Sequence, residues 1–191
     1  MNRTVVTDPE RPWLGGNILG GDEMTYCPEV WDFLIDSFEP KSLLDIGCGE
    51  GYLMKYFHDR FVDVHGIDGL QENKDNAAIG IRDRIIVHDY TKGACNYRFT
   101  PDMVISCEFV EHVDLKYMEN YILQFVMCKT LVMTHALPHQ DGYHHVACQS
   151  DDYWINIMKA FNLTLSPLTC QARKIAHNAS KILWETILIF E

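Results

Sequence analysis

Ser42-Leu43-Leu44-Asp45-Ile46-Gly47-Cys48-Gly49-Glu50-Gly51 joins a short apolar run to an acid and then to three glycines at alternate positions. The apolar run predicts a buried strand, and the glycines predict a tight turn in which a ligand can approach the main chain closely. Tyr52-Leu53-Met54-Lys55-Tyr56-Phe57 can then start a helix. Strand, glycine turn and helix N-terminus together make a site of nucleotide size. Asp45 separates it from a phosphate loop, which offers amides and cations to an anion and has no use for a carboxylate at that point. A ligand that is cationic near Asp45 is implied.

Upstream, Val30, Trp31, Phe33, Leu34, Ile35 and Phe38 recur at helical spacing between Pro28 and Pro40, which predicts a helix leading into the first strand. Tyr26 and Trp31 are aromatic residues for its core or groove. Downstream, a helix over about residues 51–60 leads to Val62-Asp63-Val64-His65-Gly66-Ile67-Asp68, a second strand ending in an acid. Asp68 follows Gly47 by 21 positions, about the interval at which a βαβ unit sets a carboxylate opposite a ribose. A third run, Arg84-Ile85-Ile86-Val87-His88-Asp89-Tyr90, ends in another acid, able to accept from an adenine amino group. Residues 102–109 read as a fourth strand, residues 131–136 as a fifth, residues 150–161 as a helix and residues 182–190 as a closing strand, with a short strand at residues 163–166. Alternation of this kind predicts an α/β domain, a mostly parallel sheet covered on both faces, with ligands at the carboxyl ends of the strands. Asp45, Asp68, Asp89, Glu108 and His135 all fall at those ends.

The 191 residues suit one domain, and the net charge of −11 argues against nucleic acid as a partner. Seven scattered cysteines without a C-x-x-C pair read as reduced thiols. The polar N-terminus and the absence of a long apolar run give the expectation of a cytoplasmic protein with no membrane partner. Residues 1–24, with Gly15-Gly16 and Gly20-Gly21, are expected to form an irregular segment or lid, and residues 25–191 the domain proper.

Leu44-Asp45-Ile46-Gly47-Cys48-Gly49-Glu50-Gly51, Gly66-Ile67-Asp68, Val87-His88-Asp89 and Val104-Ile105-Ser106-Cys107-Glu108-Phe109-Val110-Glu111-His112-Val113 resemble the class I S-adenosylmethionine-dependent methyltransferases, over most of the chain from about Thr25. The resemblance implies a Rossmann-like three-layer αβα sandwich with a seven-stranded sheet whose C-terminal strand is antiparallel, and S-adenosyl-L-methionine as cofactor. It places Gly47 and Gly49 at the methionine part, Asp68 at the ribose and Asp89 at the adenine. Cys107 would contribute backbone near the methionine, with Glu108 and Phe109 beside it. Asp45 would meet the α-ammonium. Tyr26, Cys48, Gly51, Gly69, Tyr90 and His112 complete the cofactor-binding candidates. A nicotinamide-dependent oxidoreductase, on the same architecture, would need G-x-G-x-x-G where this chain has G-x-G-x-G. A protein that binds the cofactor without catalysis is the other alternative.

Methyl transfer is an in-line displacement that needs an aligned nucleophile and, for a hydroxyl, a base. The histidines near the expected mouth are His112, His135, His139, His144 and His145, of which His135, His144 and His145 are the catalytic candidates. Imidazoles with Glu108 or Glu111 could ligate zinc or iron, but no spacing matches a closed structural site, and no metal is expected. The Asn/Asp-Pro-Pro-aromatic signature of nucleic-acid amino-methyltransferases is replaced by Ser106-Cys107-Glu108-Phe109. A small-molecule acceptor of a hydroxylated kind is therefore expected, with a protein side chain as the second choice; the sequence leaves oligomeric state open.

Overall fold

The computed structural model describes residues 4–191; the first three residues of the expected 1–24 segment lie outside the described residues. The chain runs α1 (Pro28–Phe38), β1 (Ser42–Ile46), α2 (Tyr52–His58), β2 (Asp63–Asp68), α3 (Gln71–Asn76), β3 (Ile85–Val87), β4 (Met103–Ser106), α4 (Glu119–Val126), β5 (Thr130–Met133), α5 (Asp151–Ala160), α6 (Leu168–Ala176), α7 (Lys181–Thr186) and β6 (Leu188–Phe190). The strands form one sheet in the order β3-β2-β1-β4-β5-β6. Only β6 is antiparallel, pairing Val132 with Ile189. Order reverses between β1 and β4, so the crevice above their carboxyl ends is the place for a ligand.

Period-two alternation divides the core. Leu43, Val64, Met103, Ile105, Val132 and Ile189 pack under α1, α2, α6 and α7. Leu44, Ile67, Val104, Leu131, Met133 and Phe190 pack under α4 and α5, against Tyr121, Phe125 and Trp154. Every residue of β1 is buried, because both faces of the sheet are covered. Burial of each large apolar side chain there is worth about 1.5–3 kcal/mol.

The sheet has six strands among the described residues, not the expected seven. Leu163 to Ser166 supplies only one antiparallel bridge, Leu165 with Phe190, because Pro167 removes the next N–H and α6 begins at once. Residues 182–186 are helical rather than extended. Ser180 caps α7, its hydroxyl accepting from Leu183 N–H at 3.1 Å, and packing of Leu183 overrides the β-branched composition. No helix among the described residues is long and apolar enough to cross a membrane.

Candidate functional site

A cavity of about 660 Å³ opens at the carboxyl ends of β1, β2 and β4. Its floor is the glycine turn. Gly47 and Cys48 donate their N–H groups to Ile67 O at 2.8 and 3.2 Å, which ties the turn to β2. Gly47 has φ 80°, and a Cβ there would lie 2.9 Å from Phe109 Cβ, so both backbone and packing require glycine. Gly49, at φ 54°, lines the cavity and has open space where a Cβ would be.

Three acids hold different positions around the cavity. Asp68 accepts from Gly49 N–H at 2.8 Å, Leu70 N–H at 2.9 Å and Asn73 Nδ2 at 2.8 Å, so the end of β2, the turn and α3 converge on one carboxylate. Asp89 accepts from Thr91 N–H at 2.8 Å, Thr91 Oγ1 at 2.7 Å and Trp13 Nε1, which is shared between its two oxygens at 3.2 Å each. Asp45 is only 3 % exposed and has no hydrogen-bond or ion-pair partner among the described residues. Burial, with a smaller contribution from the Asp68 charge, pushes its carboxyl up to about 8. Burial also raises Asp68, although its hydrogen bonds to Leu70, Asn73 and Gly49 oppose the shift.

The far end of the cavity is built from β4 and the loop after β5. Glu108, at φ 52°, takes its N–H to Thr134 Oγ1 at 2.8 Å, and Thr134 Oγ1 donates back to Glu108 Oε1 at 2.9 Å. Glu111 is fully buried, and neither of its carboxylate oxygens has a partner among the described residues. Burial, then the neighbouring Glu108, raises its carboxyl well above the ordinary range. His112 is held down at about 4, chiefly by burial and next by His145. Cys48 and Cys107 are pushed up by burial, so neither is a reactive thiolate.

Tyr26, Asp45, Gly47, Cys48, Gly49, Asp68, Gly69, Asp89, Tyr90, Cys107, Glu108, Phe109 and His112 all line this cavity. Gly51 does not; it is the left-handed N-cap of α2, packed against Ile81. Among the catalytic candidates only His145 lines the cavity. His135 is buried elsewhere, because β5 ends at Met133 and the chain turns its imidazole to Asp151 at the start of α5, with Nε2 2.9 Å from Oδ1. Asp151 also accepts from Arg173 Nη2 at 2.8 Å, which makes the trio a tie between α5 and α6. His144 stands at φ 50° outside the lining, and His139 is exposed on the loop.

Much of the rest of the lining comes from residues that carry no motif in the sequence. Trp13, Leu14, Asn17, Asn73 and Tyr143 line the cavity as well. Asn17 Nδ2 donates to Asn73 Oδ1 at 2.9 Å, Gly20 N–H to Glu50 Oε2 at 3.1 Å, and Leu14 fills the space above Gly69. An aromatic residue amid polar chain, Trp13, was the one available signal.

A family model described as "Methyltransferase domain" matches residues 23–126. No curated protein matches the chain. Solved structures similar to it include a TehB-like SAM-dependent methyltransferase from Corynebacterium glutamicum, at 16 % identity and TM-score 0.63, with 90 % of this chain and 89 % of that one covered. Magnesium protoporphyrin IX methyltransferase from Synechocystis PCC 6803, with bound SAH, is similar at 14 % identity and TM-score 0.63, with 84 % and 79 % covered. The [4+2]-cyclase SpnF is similar at 13 % identity and TM-score 0.59, with 88 % and 83 % covered, so likeness at this level is one of fold. The family match, which spans more than half of the sequence and takes in the glycine turn, all three acids and the Glu111-His112 pair, is of another kind, and by it the chain belongs to the methyltransferase domain family.

Proposed function

We propose that the protein transfers a methyl group from S-adenosyl-L-methionine to a small-molecule acceptor bearing a hydroxyl. The observation that carries this reading is Asp45, a buried carboxylate without a countercharge beside a glycine gap. An α-ammonium supplies the missing charge. The other acids supply acceptors for the rest of the cofactor in this reading: Asp68, oriented by three donors, keeps acceptor capacity for ribose hydroxyls, and Asp89, lining the same cavity, is the acceptor for an adenine amino group. When bound, the cofactor supplies an electrophilic methyl group on a sulfonium. The chain's own part is to align the acceptor and hold its proton, and His112 and His145 are the imidazoles at that end. The acidic net charge supports a small molecule over a nucleic acid. Calorimetry with S-adenosylmethionine, its demethylated product and NAD tests the cofactor: the first two are expected to bind, and binding of NAD alone would sink the reading. A screen of phenols, sugars and carboxylic acids then separates an enzyme from a protein that only binds the cofactor.

Residues 4–24 act in this reading as a lid whose Trp13 engages the adenine-side acid. The indole N–H is shared between both oxygens of Asp89, so an adenine amino group would compete with it for that carboxylate. Trp13→Phe is expected to tighten binding of the demethylated cofactor about fivefold, the equivalent of one hydrogen bond of about 1 kcal/mol. Weaker binding in a titration would instead make the indole part of the base's pocket.

A further inference from the structure

We propose that Glu111, His112 and His145 form a binding site for one divalent transition-metal ion at the acceptor end of the cavity. A ligand atom from each of the three lies within 4.8 Å of the others. Ligands at about 2.0–2.2 Å from a shared zinc sit roughly 3.5 Å apart, so a contraction of about an ångström closes the set. His112 and His145 stand edge to face with ring centroids 5.1 Å apart.

The polar atoms here are arranged for a cation. Both oxygens of the fully buried Glu111 and Nδ1 of His112 lack a hydrogen-bond partner among the described residues. A buried carboxylate without a partner costs several kcal/mol, and the neighbouring Glu108 is another acid that adds to that cost. His145 Nδ1 faces Gln140 O at 3.1 Å, so that nitrogen carries the proton and Nε2 keeps its lone pair, the tautomer of a ligating imidazole held by an outer carbonyl. The site is assembled across the sequence by the backbone. Val146 and Ala147 donate their N–H groups to the Glu111 carbonyl at 2.9 and 3.1 Å, which seats the loop so that His145 comes against His112. Gly142 lies where any Cβ would overlap the His145 ring. Two imidazoles and one carboxylate favour Zn²⁺, Fe²⁺ or Co²⁺ over Mg²⁺ or Ca²⁺. His112 and His145 reach the cavity wall, so the open coordination positions face the acceptor. Resting on the methyl-transfer reading, the ion would bind the acceptor's oxygen and lower its pKa, which makes a separate strong base unnecessary.

Metal-free protein, prepared with a chelator, is titrated with Co²⁺ and with Zn²⁺. Expected are one ion per chain, a visible Co²⁺ absorption of low coordination number and a rise in melting temperature. Glu111→Gln and His145→Gln are each expected to weaken binding about 100-fold or more, beyond what loss of a partner to a ligand costs. Gly142→Ala, which keeps all three ligand residues but would put a Cβ in overlap with His145 Nε2 and so push the ring aside, is expected to weaken it as well. Wild type that binds Co²⁺ and Zn²⁺ no more tightly than both Gln variants would overturn the site. The demethylated cofactor is titrated into the same wild-type preparation: metal binding without cofactor binding leaves the site standing and sinks the methyl-transfer reading, and cofactor binding without metal binding does the reverse.

Discussion

Asp68→Ala is expected to lower stability by about 3–5 kcal/mol, and to weaken cofactor binding by more than the ~1–3 kcal/mol of a single charge-assisted hydrogen bond. Sequence position alone makes Asp68 a ribose ligand, whose loss would touch only affinity. Its surroundings give it a second role. The Gly49 and Leu70 N–H groups and the Asn73 amide all point at a carboxylate that is 9 % exposed. Truncation leaves three donors facing a void, each at a cost of about 1–3 kcal/mol where water cannot enter. Asn73 also accepts from Asn17 of the N-terminal segment, so the cavity wall loses an anchor. For a domain of this size the melting temperature should fall by about 10 °C. Asp68→Asn divides the two roles: it keeps one acceptor oxygen and the side-chain volume, and should recover part of the stability without restoring ribose affinity. Thermal melts and calorimetry on both variants measure this. An alanine variant that melts with wild type and binds the cofactor as tightly would remove Asp68 from both roles.

Much of the sheet could be read from residues 42–134 because β1, β4 and β5 are buried on both faces and stand out as apolar runs, while β2 and β3 lead into Asp68 and Asp89. The same signal misleads at the C-terminus. Ile182, Leu183 and Trp184 have strand composition, yet Ser180 caps a helix there and only Leu188 to Phe190 remains extended. His135 illustrates a subtler limit. Strand alternation beyond Met133 would send its side chain upward, but β5 ends two residues earlier, and Asp151 captures the imidazole from another element. The roof was illegible for a related reason: Trp13 and Asp89 are 76 positions apart, and an aperiodic segment carries no record of what it covers. Glu111 and His145 meet through backbone hydrogen bonds of the loop, to which any side chains could have contributed.

Cofactor affinity is expected to rise about tenfold per pH unit between pH 6 and pH 7.5, to peak near pH 8 and then to fall. The acidic limb belongs to Asp45. Burial and the facing Asp68 hold its carboxyl at about 8, and the nearby Cys48 and Cys107 thiols are neutral, so below that pH it is protonated in the free protein. An incoming ammonium favours the ionised form, and binding near pH 7 should therefore release close to one proton, measurable as a dependence of the calorimetric heat on the buffer. The alkaline limb belongs to the ligand, whose α-amino group loses its proton near pH 8 by the ordinary value for such groups. Asp45→Asn should abolish the acidic limb, weakening binding about 10- to 100-fold at pH 8, the scale of an ion-paired hydrogen bond, and changing it little at pH 6, where wild type is itself neutral. Stability of the free protein should show the opposite trend. A carboxyl at about 8 folded and about 3.9 unfolded makes the native state hold more protons across that interval, so wild type loses up to about 1.4 kcal/mol per pH unit as pH rises from 4 to 8. The Asn variant has no such loss. It should melt above wild type at pH 8 in the absence of ligand and below it when saturating cofactor is present. A variant whose binding keeps the wild-type pH profile would show that the ammonium sits elsewhere.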